Sequence, residues 1–491
     1  MLLLIILSPF IGTLLIMAGT PARKTALYVS SFTLLLTLAA FSQFKANDGF
    51  QFVSSWPIVA DLHLSFTIGL DGLSLLMVLL AAIVTVAAVW FAGEITQHEG
   101  AFYICLLLIS GGVLGAFASL DLFFFYAFHE LALIPTFLLI GIWGSGNRTA
   151  AAWKITIYLA LGSFILLIGL IMLYQSIPAG SRTFDMRALK TLSAQIPAEA
   201  QRHIYLLLLA GFGILVSLVP FHSWAPEAYA SAPAPAAMLH AGVLKKFGLY
   251  GLLRLAVPLL PDGAHYWTNL LIVLLLGNII YIGLVTIAQN RLDWMLGYSS
   301  VMHMGYIFLG IASANLLGTT GAALLMFAHG LSIAILFAIA GEVRKRTGTL
   351  LFEDLGGLGK AMPIAGVAFG FGAFAAIGLP GFANFAAEIM VFFGSFQKGW
   401  DINRFHFFQI ATVLALLGVV ISAVYMLRAY RSAFMGTMPD RWKEVVDLKQ
   451  SLRVPITLLV AALLWFGFFP QSIVRLISPT FRSNPGASLS R

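Results

Sequence analysis

The chain has 491 residues, of which 60% are hydrophobic and only 10% charged, with a formal net charge of +8. Soluble globular chains carry about 25% charged residues, so this composition excludes a water-soluble fold and points to a polytopic membrane protein. The basic excess does not point to nucleic acid, because Lys and Arg fall in short loops between apolar runs, where they set topology.

The first run, MLLLIILSPFIGTLLIMAGTPARK, has no basic segment before it; Arg23 and Lys24 follow it instead. It therefore reads as an uncleaved first span that starts outside. Apolar runs long enough to cross hydrocarbon, about 20 residues, lie near 2–19, 25–43, 69–92, 102–118, 120–142, 153–175, 203–222, 236–257, 266–288, 294–313, 317–343, 361–397, 407–430 and 454–475. They are too long for barrel strands and do not alternate, so the chain is predicted to be an all-α membrane domain over 1–491 with about fourteen spans. The loops near 20–24, 143–153, 289–293, 344–360 and 431–453 carry the larger share of Lys and Arg and are expected to be cytoplasmic. Polar segments 176–202 and 431–453 read as surface connections. Cys105 is the only cysteine, which excludes an intrachain disulfide, a CxxC pair and a Cys-ligated iron–sulfur cluster.

Two spans are interrupted. Val219-Pro220-Phe221-His222 breaks the seventh, and Gly378-Leu379-Pro380-Gly381-Phe382 breaks the twelfth. Proline removes a helix donor and clashes with the preceding turn. In lipid the freed backbone groups need partners, so such breaks must face protein or water. Breaks five spans apart predict two related halves: 102–257 (spans four to eight) and 266–430 (spans nine to thirteen). These are flanked by N-terminal helices in 1–92 and a C-terminal helix at 454–475.

Ionisable residues fall inside these spans: Glu130 in the fifth, Lys246 in the eighth, His303 in the tenth, His329 in the eleventh and Glu388 in the twelfth. A charge at the bilayer centre costs about 2.5–3.5 kcal/mol on insertion scales, so it is retained only where it faces a wet or paired interior. A lone intramembrane Glu can be a helix–helix contact and a lone His a packing residue. The joint presence of Glu130, Lys246 and Glu388 at one depth is what argues for function. Burial disfavours the charged form of either group and an opposite charge restores it. A Glu/Lys pair that closes and parts is thus a switch for a proton, and histidine bridges the steps. Lys245 lies about 100° round the helix from Lys246 and is expected to snorkel or to touch a neighbouring subunit. His222 and Glu227 sit at the seventh-span break, where shaping the loop is favoured over binding a metal. His240 is a further secondary candidate. No GxGxxG follows a strand, no Walker A lysine is present and the histidines lack HExxH spacing, so nucleotide and zinc chemistry are unsupported.

The segments FHELALIPTFLLIGIWG, PFHSWAPEAYASAPAPAAMLHAGVLKKFGLYGLLR, YSSVMHMGYIFLGI, MFAHGLSIAILF and GLPGFANFAAEIMVFFGSF resemble the antiporter-like subunits of respiratory complex I. Within these they are most similar to the M-type subunits of bacterial proton-pumping NADH:quinone oxidoreductase. The resemblance implies fourteen core helices in two inverted five-helix repeats with broken seventh and twelfth helices. It assigns proton transfer to Glu130, Lys246, His329, His303 and Glu388, the glutamate at 388 being the M-type choice. It further implies that this subunit binds no cofactor of its own, since NADH, FMN, iron–sulfur clusters and quinone serve elsewhere in the complex. Its partners would be antiporter-like neighbours on both sides, and lipid, in the bacterial inner membrane. One position departs: the family's seventh-helix lysine, seven residues before the histidine matching His222, is here Leu215. Glu130 is then unpaired, bridged through water to Lys245 or Lys246, or protonated at rest. Alternatives within the resemblance are a subunit of a multisubunit Na⁺/H⁺ antiporter or membrane-bound hydrogenase, or a scaffold that no longer pumps.

Overall fold

The computed structural model describes residues 1–46, 49–93, 95–398 and 406–482. Eleven of its helices are long and apolar enough to cross a membrane. The first span, Leu2–Met17, is shorter; the eighth and twelfth are built from consecutive pieces. Every one of the fourteen apolar runs therefore has a helical counterpart. The third and eleventh spans, Gly72–Ala92 and Leu316–Thr347, form the centre of the bundle, and their most apolar stretches are 94% and 100% buried. Residues 51–70, outside the body of any span, form an antiparallel hairpin of Gln51–Val59 with Leu64–Leu70. At the end of the hairpin Asp71 caps the third span, its carboxylate accepting from Ser74 N at 2.9 Å. The last described helix, Gln471–Arg482, packs against the third and eleventh spans.

Both interruptions are real. Ala198–Val216 ends at Ser217 in the left-handed region (φ 67°), and the chain resumes as helix at Trp224–Ser231. Pro363–Ile377 ends at Gly378 (φ 79°) and resumes at Ala383–Gln397. Glycine at 378 accommodates that backbone and also leaves space for the Glu388 carboxylate, which a Cβ there would strike.

The groups freed at the first break are paired by protein. Asn278 Nδ2 donates to the carbonyls of Ser217 (3.1 Å) and Val301 (3.0 Å), and Asn278 Oδ1 accepts from Val219 N (2.8 Å). Trp224 Nε1 donates to Ile214 O at 3.1 Å. Replacing Asn278 with Leu strands the Ser217 carbonyl and the Val219 N–H at the break, at about 1–3 kcal/mol each. The expected result is a melting temperature several degrees lower for the detergent-solubilised protein. An unchanged melting temperature would show that the break holds without the amide.

The loops at 143–147, 289–293, 344–360 and 435–449 meet at one end of the bundle. Arg344 joins Ser145 Oγ (2.8 Å) and Asp293, Arg291 pairs with Leu351 across a bridge, and Arg346 Nε donates to Val446 O (2.8 Å). These loops thus share one side of the membrane. At the other end Arg254, from the eighth span, forms a buried two-pronged ion pair with Asp71 (Nη1–Oδ2 2.7 Å).

Candidate intramembrane polar axis

The eighth span is not one regular helix. Ala234–Leu239 passes into a π-turn at His240–Leu244 before α-helix resumes at Lys246–Gly251. In the π-turn Lys245 N bonds to His240 O, five residues back, rather than to Ala241 O. The Ala241 oxygen instead accepts from Lys246 Nζ at 2.7 Å. Lys246 is fully buried, and its Nζ lies 2.9 Å from His329 Nδ1 on the eleventh span. The local irregularity of the helix thus supplies the carbonyl that holds a lysine in the membrane interior.

The line continues beyond His329. Its ring centre is 5.5 Å from that of His303 on the tenth span. His303 Nδ1 lies 2.8 Å from Ser299 O, and Nε2 lies 2.8 Å from Ala376 O. A neutral imidazole donates from only one nitrogen, so this ring has an acceptor in place for a second proton. Ala376 lies two residues before Gly378, against which Glu388 packs. Glu388 is 4% exposed; its Oε1 and both polar side-chain atoms of Asn384, one turn earlier, have no hydrogen-bond partner among the described residues. Unpaired buried polar groups are costly, and here they collect beside a helix break.

Glu130 stands apart from this line. Its side chain is 35% exposed on the outer face of the fifth span and 3.5 Å from His129 Nδ1. Ser163 of the sixth span donates to it and also contacts Tyr126 at 3.1 Å. Leu215, where the resemblance implies a lysine, is 3% exposed within the apolar core. Among the described residues the only group within ion-pair distance of Glu130 is His129.

Lys245 neither snorkels nor reaches a surface. It is 1% exposed and points toward the tenth span, with Nζ 3.4 Å from Ser300 O and 5.7 Å from the centre of the Tyr229 ring. The eighth span is buried on every side from Pro235 to Leu253, so both lysines face protein although they point in different directions. His240 is buried, its Nδ1 3.2 Å from Tyr229 OH. Glu227 pairs with Lys154 at 2.8 Å, while His222 lies edge-on to Tyr281, so the two do not converge. The sequence reading missed His129 as the immediate partner of Glu130, and the Arg254–Asp71 pair. Both had a visible signal, namely an ionisable residue in or at the end of an apolar run.

Residues 119–415 match the family described as NADH:quinone oxidoreductase/Mrp antiporter, TM. The chain belongs to this family. It is 36% identical, over 92% of its length and 85% of the relative's, to "NAD(P)H-quinone oxidoreductase chain 4 2" of Synechococcus sp.. It is 32% identical, over 92% of its length and 90% of the relative's, to "NADH-quinone oxidoreductase subunit M" of Rickettsia conorii. Among solved structures it superposes on a chain of respiratory complex I from Thermus thermophilus with a TM-score of 0.90, at 29% identity and full coverage of both chains. A chain of the Mrp complex from Dietzia sp. shares the fold, with a TM-score of 0.84 at 22% identity over 100% of this chain and 97% of that one.

Proposed function

We infer that this chain is a proton-translocating, M-type membrane subunit of an NADH:quinone oxidoreductase, and we propose that its route is the axis Glu130, Lys246, His329, His303, Glu388. The observation that carries the route is the 2.9 Å contact between Lys246 and His329, two titratable groups buried together where neither has a carboxylate neighbour. Lys246 stores the proton, His329 and His303 pass it on, and Glu388, beside the unpaired polar atoms of the twelfth-span break, leads it out. Glu130, on the outer face, transmits coupling to a neighbouring subunit. A half-exposed carboxylate at this depth needs a polar partner rather than hydrocarbon, which supports antiporter-like neighbours on both sides.

In this reading, residues 102–257 and 266–430 are inverted repeats, each with one broken helix. The subunit has no redox centre of its own, and the NADH, FMN, iron–sulfur and quinone chemistry occurs in other subunits of the complex. Its place is the bacterial inner membrane, with the 344–360 end cytoplasmic. The quinone oxidoreductase relatives match at 32–36% identity, which favours this host over a Na⁺/H⁺ antiporter, where the likeness is of fold.

Glu388→Gln keeps the size and hydrogen-bonding capacity of the side chain and removes its titration. In inverted membrane vesicles the expected result is a drop of about twofold or more in protons moved per NADH oxidised, with unchanged electron transfer to an artificial acceptor. A normal ratio in an assembled complex would remove Glu388 from the route.

A further inference from the structure

We propose that a histidine pair, His129 and His240, joins Glu130 to the two buried lysines and takes over the bridging position that Leu215 leaves apolar. The inference rests on the proton-axis reading above and adds the missing link in it.

Glu130 and Lys246 occupy different parts of the bundle, and no lysine reaches the glutamate: its ion-pair partner among the described residues is His129, at 3.5 Å. His129 itself is 2% exposed and turns inward, stacked on Phe247 with ring centres 3.9 Å apart, so it lies against the residue that follows Lys246. His240 opens the π-turn that immediately precedes both lysines. It is 4% exposed and its Nε2 has no hydrogen-bond partner among the described residues, while Nδ1 is engaged by Tyr229 OH at 3.2 Å. The titratable groups around it are Tyr229, Lys245, Lys246 and His129, with Trp224 edge-on at 5.6 Å. A buried imidazole with one nitrogen anchored and the other unused, set among a second imidazole and two lysines, has the form of a relay. Most buried side-chain nitrogens have a hydrogen-bond partner, and His240 Nε2 has none among the described residues.

Leu215 closes the alternative route. It lies one turn beyond Gly211, which packs on Leu166, and three residues beyond Phe212, which packs on Phe247. It therefore fills the space between Glu130's helix neighbours and the eighth span with a side chain that cannot carry a proton.

The transfer balances with no other reactant. A proton released from the Glu130–His129 pair is taken up at His240 Nε2, giving the imidazolium. The same nitrogen then gives it to a neutral lysine amine, which becomes the ammonium, and the ring ends neutral with Nδ1 still held by Tyr229. No direct hydrogen bond joins the two imidazoles among the described residues, so water carries the hop between them. Lys245, held by Ser300 O and the Tyr229 face, is the first acceptor, and Lys246 the second.

The test uses the assembled complex in membrane vesicles, with assembly checked on native gels. His240→Gln retains a partner for Tyr229 but cannot relay; the coupled NADH:quinone rate is expected to fall about tenfold. If that variant does not assemble, His129→Gln makes the same demand at the other end of the bridge. Adding Leu215→Lys to His240→Gln restores a titratable group between Glu130 and Lys246, and is expected to return the rate to within about threefold of the unaltered complex. A packing role for His240 would not respond to a lysine on another helix. The proposal is overturned if His240→Gln pumps normally while Lys246→Met is inactive, or if the double variant is as slow as the single one. Normal pumping by Lys246→Met would instead reject the axis itself.

Discussion

Lys246→Met in the assembled complex is expected to lower coupled proton transport by about tenfold to a hundredfold while leaving the amount of assembled complex unchanged. Methionine follows the course of the lysine stem and leaves no cavity, so packing around the eighth span survives. What is lost is the group that faces both Ala241 O and His329 Nδ1. Removing a buried amine also relieves a desolvation cost, so stability holds or rises. A falling rate with an intact complex then isolates the proton step. The measurement is fluorescence quenching of a pH dye in NADH-energised inverted vesicles. Retention of full quenching by an assembled Lys246→Met complex contradicts the storage role.

The second large effect is structural. Asp71→Ala leaves Arg254 at 10% exposure without its carboxylate. Breaking one side of a buried ion pair costs about 3–5 kcal/mol, a large share of the roughly 5–15 kcal/mol by which folded domains are stable. Among the described residues Arg254 would retain Ser74 Oγ at 3.1 Å, Tyr250 OH at 3.3 Å and the faces of the Phe50 and Tyr250 rings. The cap on the third span is lost as well. The expected outcome is a subunit that fails to accumulate in the membrane. Replacing both partners by apolar residues, Asp71→Leu with Arg254→Met, removes the stranded charge and should recover much of the lost protein. If Asp71→Ala accumulates normally, the pair contributes little and the hairpin end is held by packing alone.

Much of the site was legible in the linear chain. Glu130, Lys246, His303, His329 and Glu388 stood out because hydrocarbon tolerates ionisable side chains only where they are paired or hydrated. The structure brings Lys246, His329 and His303 into one row and sets Glu388 at the twelfth-span break. Lys245 is enclosed rather than at a surface because the eighth span has neighbours on every side, which no local pattern in the chain reveals. Asn278 went unnoticed for a related reason: its role is to satisfy backbone atoms of helices far away in sequence.

By itself, then, the sequence determined that the chain lies in a membrane, how many times it crosses, where two crossings break and which titratable groups lie within. Each of these follows from a local rule, since every spanning segment must satisfy its own backbone and remain apolar over a fixed length. Which face of each helix meets which neighbour was decided only in the folded bundle. The eleventh span, Leu316–Thr347, is apolar on all sides and its most apolar stretch is wholly buried, so no polar side marks the direction of His329. Contact between His329 and Lys246, the isolation of Glu130 from any lysine, and the inward turn of Lys245 are therefore properties of packing, fixed by how side chains on different helices fill shared space.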